Sequence, residues 1–313
     1  MLDELGITKV TIPLPFRLNH VNCFLAEGRD GWLVMDTALN RKETREIWSE
    51  HLSDKQVSEI LVTHYHPDHS GYAGKLQQQT GAEVWMTQVA EQTRMRNWTE
   101  DYVDTVNAFY LAAGIPKEVA DGISQNTKES THFVLPNPTV DRYLNEGDRL
   151  KIGNYEYEVI FTPGHSPGLI TLYNREKNVL LSTDHILPKI TPNISYWFMG
   201  DQNPLQTFME SLQKIKKLDV EYVIPSHGEP FYGANDRIEE IAKHHESRLN
   251  DILDQLKDGR TVYDVCRHLF GDRLTTHEMR FAIGETLAHL EFLRKKGECQ
   301  REVRRDDWFY RVK

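Results

Sequence analysis

Cysteine is scarce: Cys23, Cys266 and Cys299 are the only three in 313 residues, far apart and without a C-x-x-C pair. That usage excludes a disulfide framework, speaks against a thiolate zinc site, and is what a protein of the reducing cytoplasm shows. Long apolar runs are missing as well. No stretch approaches the roughly 18 residues a membrane span needs, and the start, MLDELGITKVTIPLPF, has neither the basic opening nor the apolar core of a secretion signal. We therefore expect a soluble, unexported, cytoplasmic protein with no membrane partner. Positive charge is not in excess either: 37 Lys plus Arg stand against 47 Asp plus Glu, a net charge of −10. This argues against a surface that is basic overall and wraps nucleic acid. The length suffices for one large domain plus a small one, with about three quarters of the unfolded surface buried.

What is abundant is histidine, 14 residues, unevenly spaced. Short β-prone runs at Lys9–Leu14, Val21–Ala26 and Trp32–Met35 are separated by Pro, Asn and Gly, and read as antiparallel strands. Glu43–Leu52 and Gly71–Gln79 carry helical periodicity on either side of the apolar run Glu59–Thr63, and the strand Glu83–Met86 follows. Strand and helix alternation implies a layered α/β core. From about 88 to 127 the pattern is helical, an insertion of two or three helices. Strands resume at Tyr155–Phe161, Leu169–Tyr173, Val179–Ser182 and Val220–Ile224, with a helix over Leu205–Lys217. After Gly233 the chain is mainly helical up to Lys296 and ends in two short strands. Three helices followed by a hairpin is the order of a winged helix-turn-helix. We place a first domain at 1–235, with the insertion inside it, and a second at 236–313.

The sharpest feature is His64-Tyr65-His66-Pro67-Asp68-His69, directly after an apolar strand and before a helix. Neutral imidazoles and carboxylates suit zinc and its neighbours, whereas calcium takes oxygen ligands only. Three further residues of the same kind close strands: His165 in TPGHSPG, Asp184 after VLLST, and His227 in VIPSHG. Strand ends are where α/β proteins assemble their sites. Asp36 ends the strand Trp32–Met35 and is read as positioning a ligand histidine. His185, next to Asp184, points to the opposite side if the strand continues and is read as packed or hydrogen-bonded, while His20, His132, His244 and His245 lack comparable spacing and are read as structural or solvated.

The ordered set H-x-H-x-D-H, G-H, strand-end Asp and final S-H-G resembles the metallo-β-lactamase superfamily over about residues 8–233. The resemblance implies a four-layer αββα sandwich with the metal site at one edge of its sheets. It also implies two divalent ions, zinc in the first place, with manganese or iron also compatible. By position, His64, His66 and His165 would hold one ion, Asp68, His69 and His227 the other, and Asp184 would bridge them. The reaction implied is hydrolysis by a hydroxide bound to both metals, with Asp68 as the catalytic residue that orients it or takes its proton.

Superfamily substrates range from lactams, lactones and thioesters to phosphodiesters, so the motif alone selects none. The insertion is expected to lie over the site as a cap, offering Trp98, Tyr102, Phe109 and Tyr110, and a second wall is the loop Ile190–Met199, whose Tyr196 could donate to an oxyanion. The C-terminal piece resembles the winged-helix tail of the lactamase-β-like branch, some of whose members cut single-stranded RNA. Residues 236–313 hold sixteen basic and sixteen acidic side chains; residues 294–313 hold eight and four, including Arg294-Lys295-Lys296 and Arg304-Arg305. Residues 1–235 hold 21 basic against 31 acidic, which repels a polyanion. A small-molecule ester, lactone or thioester is therefore the preferred substrate, and an endoribonuclease the alternative. A DNA-binding regulator fits less well, because the full ligand set is present and the tail is neutral. The tail could instead form a homodimer contact.

Overall fold

The structure, a computed structural model, describes residues 1–304 and 307–313. Its first part carries two six-stranded sheets. The first consists of β1 (Ile7–Pro13), β2 (His20–Glu27), β3 (Trp32–Met35), β4 (Val57–Leu61), β5 (Glu83–Met86) and β6 (Val140–Tyr143), in that spatial order. β1 to β3 are antiparallel, as the short loops between them permit. β3 to β6 are parallel and need crossovers, which the helices Lys42–His51 and Ala73–Thr80 supply for β4 and β5. The second sheet consists of β7 (Arg149–Ile152), β8 (Tyr155–Phe161), β9 (Ile170–Asn174), β10 (Val179–Thr183), β11 (Tyr222–Pro225) and β12 (Phe231–Tyr232), also neighbours in chain order. Here β10 and β11 are parallel and the other pairs antiparallel.

The period of two along each strand sorts the side chains into layers. Leu33, Met35 and Leu61 meet Tyr157, Val159, Leu172, Leu181 and Ile224 in a core between the sheets. Their neighbours Val34, Ile60 and Val62 turn the other way, onto Trp48 and Leu76 of the two crossover helices. Against the second sheet, Lys214 of the helix Pro204–Lys216 donates to the Phe161 carbonyl at 2.9 Å. Helix, sheet, sheet, helix is the expected sandwich. Strands β6 and β7 are additions to the sequence reading; β6 is largely exposed and carries no apolar alternation to announce it.

The compact units change over at Arg237/Ile238, two residues from the boundary placed at 235/236, and differ from the linear division in two earlier segments. Residues 1–95, 131–192 and 212–237 form one unit; residues 96–130, 193–211 and 238–313 form the other. The proposed boundary falls inside the helix Ala234–Gln255. The insertion comprises the helices Gln88–Asn97, Glu100–Ala112 and Lys117–Glu129, and from Arg96 onward it packs with the C-terminal segment. The physical reason is that its apolar face, with Val103, Val106, Tyr110 and Ile123 buried, needs a partner surface. Phe109 stacks on Phe198 with centroids 5.0 Å apart.

The C-terminal segment contains the helices Val262–Phe270 and Thr276–Lys296, each opened by a capping box, Thr261 with Asp264 and Thr275 with Glu278. A hairpin of β14 (Cys299–Arg304) and β15 (Asp307–Val312) follows, and β13 (Arg260–Thr261) adds a third antiparallel strand beside β15. Five side chains of the basic cluster share three carboxylates. Arg294 and Arg301 pair with the buried Glu291, Lys296 with Glu298, and Arg304 and Arg311 with Glu302. Arg305 lies outside the described residues.

Candidate metal centre

Four strand ends deliver the site. β4 ends at Leu61, and after Thr63 the chain turns through His64 to His66 into the helical turn Pro67–Ser70. Pro67 occupies the first position of that turn, where its missing N–H costs nothing. The His66 carbonyl accepts from the backbone N–H groups of His69 and Ser70 at 3.0 and 2.9 Å, which places Asp68 and His69 back over the loop. β8 leads to His165. β10 ends in a bulge at Thr183, a residue at φ 49°, and this irregularity precedes Asp184. β11 leads to His227.

All seven predicted side chains converge. Ligand atoms of His64, His66 and His165 lie within 4.8 Å of one another, and so do those of Asp68, His69 and His227 and those of His64, His69 and Asp184. Asp184 Oδ2 is 3.4 Å from His165 Nε2 and 3.3 Å from His227 Nε2, while its Oδ1 is 3.4 Å from His69 Nε2. Asp68 Oδ2 is 3.5 Å from His227 Nε2 and 3.7 Å from His69 Nε2. These separations are long for hydrogen bonds. They match the edge of a tetrahedron, roughly 3.4 Å, around an ion bound at ~2.1 Å. His69 Nε2, His227 Nε2 and Asp184 Oδ1 are buried and make no hydrogen bond among the described residues. The donor set and its spacing therefore fit divalent metal.

The outer nitrogens explain why the inner ones face inward. Thr63 Oγ1 donates its single proton to Asp36 Oδ2 at 2.8 Å, so toward His64 Nδ1, 3.1 Å away, it can only accept. That puts the His64 proton on Nδ1 and leaves Nε2 with a lone pair. His69 Nδ1 donates to Asp36 Oδ2 at 2.8 Å, and His227 Nδ1 to the His20 carbonyl at 2.7 Å, with the same result. Burial, then the neighbouring imidazoles, hold His64 and His66 well below the usual histidine range. Burial would depress His69 and His227 too, but the carboxylates outweigh it: Asp184, Asp68 and Asp36 hold His69 well above its ordinary value, and Asp184 and Asp68 hold His227 at about 10. A cation placed among these groups competes with protons for the same lone pairs.

Residues 17–227 match the family described as the Metallo-beta-lactamase superfamily, and residues 249–312 its Metallo-beta-lactamase-like C-terminal domain. The chain belongs to the metallo-beta-lactamase superfamily. A metallo-beta-lactamase family protein from Thermus thermophilus is similar over 98% of this chain and 99% of its own, at 30% identity and a TM-score of 0.84. The probable metallo-hydrolase YqjP of Bacillus subtilis is 23% identical over 300 residues, 92% of each chain. The hydroxyacylglutathione hydrolase GloC of Haemophilus influenzae is 28% identical over 135 residues, 42% of this chain and 50% of that one. This superfamily member is a metallo-hydrolase, and its His/Asp cluster is consistent with the metal site.

Several positioning groups of this metallo-beta-lactamase site carry no motif. His20 reaches His227 through its backbone carbonyl, and its Nε2 accepts the Gly228 N–H at 2.9 Å. Asn22 Nδ2 donates to the Gly228 carbonyl at 2.8 Å. Arg94, buried, donates to Ser70 Oγ at 2.9 Å and to the Val134 carbonyl, and the Ser70 hydroxyl lies against the Tyr65 and His66 carbonyls. Nothing in the sequence singles out His20, Asn22 or Arg94, because each acts on a stretch of chain far from its own. The expectation for Tyr196 changes: its hydroxyl donates to Gln202 Oε1 at 2.8 Å, so the proton offered to an oxyanion is already engaged. His185 is fully buried, and no described metal-ligand cluster includes it.

Proposed function

We propose that the chain hydrolyses a small-molecule thioester, ester or lactone with two divalent ions, zinc in the first place. His64, His66 and His165 would hold one, and Asp68, His69 and His227 the other. The observation that carries this reading is the Asp184 carboxylate, whose Oδ2 faces His165 of the first group and whose Oδ1 faces His69 of the second, each at 3.4 Å. When bound, the ions supply Lewis acidity toward the scissile carbonyl and lower the pKa of water.

The chain's own groups divide the remaining work. Asp36 and Asp184 are enclosed, with side chains 1% and 8% exposed, whereas Asp68 is 20% exposed. Burial pushes the Asp68 carboxyl up, but His69 and His227 outweigh this and hold it well below the usual carboxylate range. Asp68 is thus ionised at neutral pH and the most exposed of the three carboxylates, as a proton acceptor needs. Asp36 acts at one remove, through His69.

The substrate class is supported by charge and by one relative. The acidic excess of residues 1–235 disfavours a polyribonucleotide, and Arg294, Arg301, Lys296, Arg304 and Arg311 of the tail are engaged with Glu291, Glu298 and Glu302. GloC is named for hydrolysis of hydroxyacylglutathione, a thioester. The test is metal analysis of the purified protein, followed by assay against thioesters, lactones, esters and labelled single-stranded RNA. We expect two equivalents of metal, turnover of a thioester or lactone, and loss of ~10²-fold or more with Asp68→Ala. Cleavage of RNA alone, abolished by the same substitution, would reverse the substrate class.

A further inference from the structure

The second unit contains a cleft separate from the metal-binding residues. It is lined by Tyr102, Val106 and Tyr110 of the helix Glu100–Ala112, by Ile123, by Trp197 and by Arg280 of the helix Thr276–Lys296, and its interior measures about 20 Å³. No Asp or Glu lines it. That volume takes a single small polar group rather than a whole ligand.

Asn97, Ser124 and Thr127 also line it, but two of its buried donors, the Tyr102 and Tyr110 hydroxyls, are without acceptors among the described residues. Tyr110 is 1% exposed and Tyr102 8%, and neither hydroxyl makes a hydrogen bond among the described residues. The Arg280 guanidinium lies 5.0 Å from the centre of the Trp197 ring and 5.7 Å from that of Phe281, with no ion pair among the described residues. The Arg96 guanidinium, 5.2 Å from the centre of the Tyr102 ring, is already engaged: its Nε donates to Asn97 Oδ1 at 3.2 Å and an Nη to the Met199 carbonyl at 3.3 Å. An aromatic face offsets part of a guanidinium's desolvation but takes none of its five N–H donors. Buried phenols left without a partner carry a cost of their own. The complement of such a set is a compact group that only accepts and carries negative charge. A carboxylate is planar, matches the guanidinium fork in two parallel hydrogen bonds, and is smaller than a phosphate.

We propose that this cleft binds the carboxylate of a small organic acid, with Arg280 and the Tyr110 hydroxyl as its donors and the Trp197 face beside the acid's apolar body. The inference does not depend on the hydrolase reading, because every residue it uses belongs to the second unit.

The test is calorimetry and ligand-observed NMR on the full-length, metal-loaded protein, with benzoate and butyrate against benzamide and butyramide. One-to-one binding of a carboxylate near ~1 mM is expected, with the amides at least about tenfold weaker. Arg280→Gln should weaken the carboxylate about tenfold or more, Tyr110→Phe by less, and Arg280→Lys should retain part of the affinity. Circular dichroism checks each fold, and the nearly isosteric Tyr110→Phe carries the test if Arg280→Gln does not fold. The proposal is overturned if acids and amides bind equally, or if no acid binds at ~20 mM. It is equally overturned if binding survives Arg280→Gln and Tyr110→Phe unchanged, as it would for carboxylate captured by the metal centre.

Discussion

Asp36 Oδ2 accepts from His69 Nδ1 at 2.8 Å, and both side chains are almost completely buried. The same carboxylate accepts from the Thr63 backbone N–H at 2.9 Å and the Thr63 hydroxyl at 2.8 Å, and Thr63 in turn sets the His64 tautomer. Asp36 sits at φ 58°, a left-handed conformation an aspartate tolerates better than most residues. One buried acid thus orients an imidazole of each proposed metal group. Asp36→Ala should weaken metal binding about 10–100-fold, read by chelator competition, and Asp36→Asn should lose less. Unchanged affinity in Asp36→Ala would deny the positioning role.

His245 and His289 make a second buried pair, with Nδ1 and Nε2 3.1 Å apart. His289 Nδ1 donates to the Glu285 carbonyl at 2.8 Å, so its Nε2 must accept and His245 must donate. Burial, then the facing His289, His244 and Arg248, bring His245 down to about 2; burial, with Arg248 and His244, brings His289 to about 3 against the opposing hydrogen bond at Glu285. Arg248 is itself paired with the Glu285 carboxylate. Both imidazoles are neutral in the fold and take up protons near 6.5 when unfolded. Stability from this pair is complete above pH ~6.5 and falls as the pH drops toward 3, by up to about 1.4 kcal/mol per pH unit for each histidine. Urea midpoints at pH 7 and 5 measure the slope, and His245→Gln should remove about half of this contribution.

Gly284, within the helix Thr276–Lys296, meets the loop that carries Ser195. The Tyr196 N–H donates to the Gly284 carbonyl at 2.9 Å, and a Cβ on Gly284 would stand 2.6 Å from Ser195 Oγ and 2.8 Å from Ser195 Cβ. In an open helix Gly→Ala gains up to about 1 kcal/mol. Here the clash with a short, fixed side chain wins, and Gly284→Ala should destabilise by about 1–3 kcal/mol. Thermal unfolding reads this directly; a stabilised variant would show that the loop gives way.

Tyr196 tests the other side of the site assignment. Its hydroxyl is engaged by Gln202, so Tyr196→Phe should cost about 0.5–1.5 kcal/mol of stability and leave kcat within about threefold. A fall in kcat of ~10²-fold would restore the oxyanion role.

Local chemistry alone was enough for much of this protein. Apolar runs bounded by Gly and Pro place most strands, Thr261 with Asp264 and Thr275 with Glu278 open two helices, and His64, His66, Asp68 and His69 announce themselves by standing within six residues. These signals are short in range, so one stretch of chain carries each completely. The tertiary structure decided what joins distant stretches: that Asp36 grips His69, that a backbone carbonyl at His20 orients His227, and that the insertion from Arg96 packs with the C-terminal segment. A carbonyl has no residue identity to read, and an apolar helix face matches many partners. Those pairings are chosen only when the whole chain competes to bury its surface and satisfy its donors.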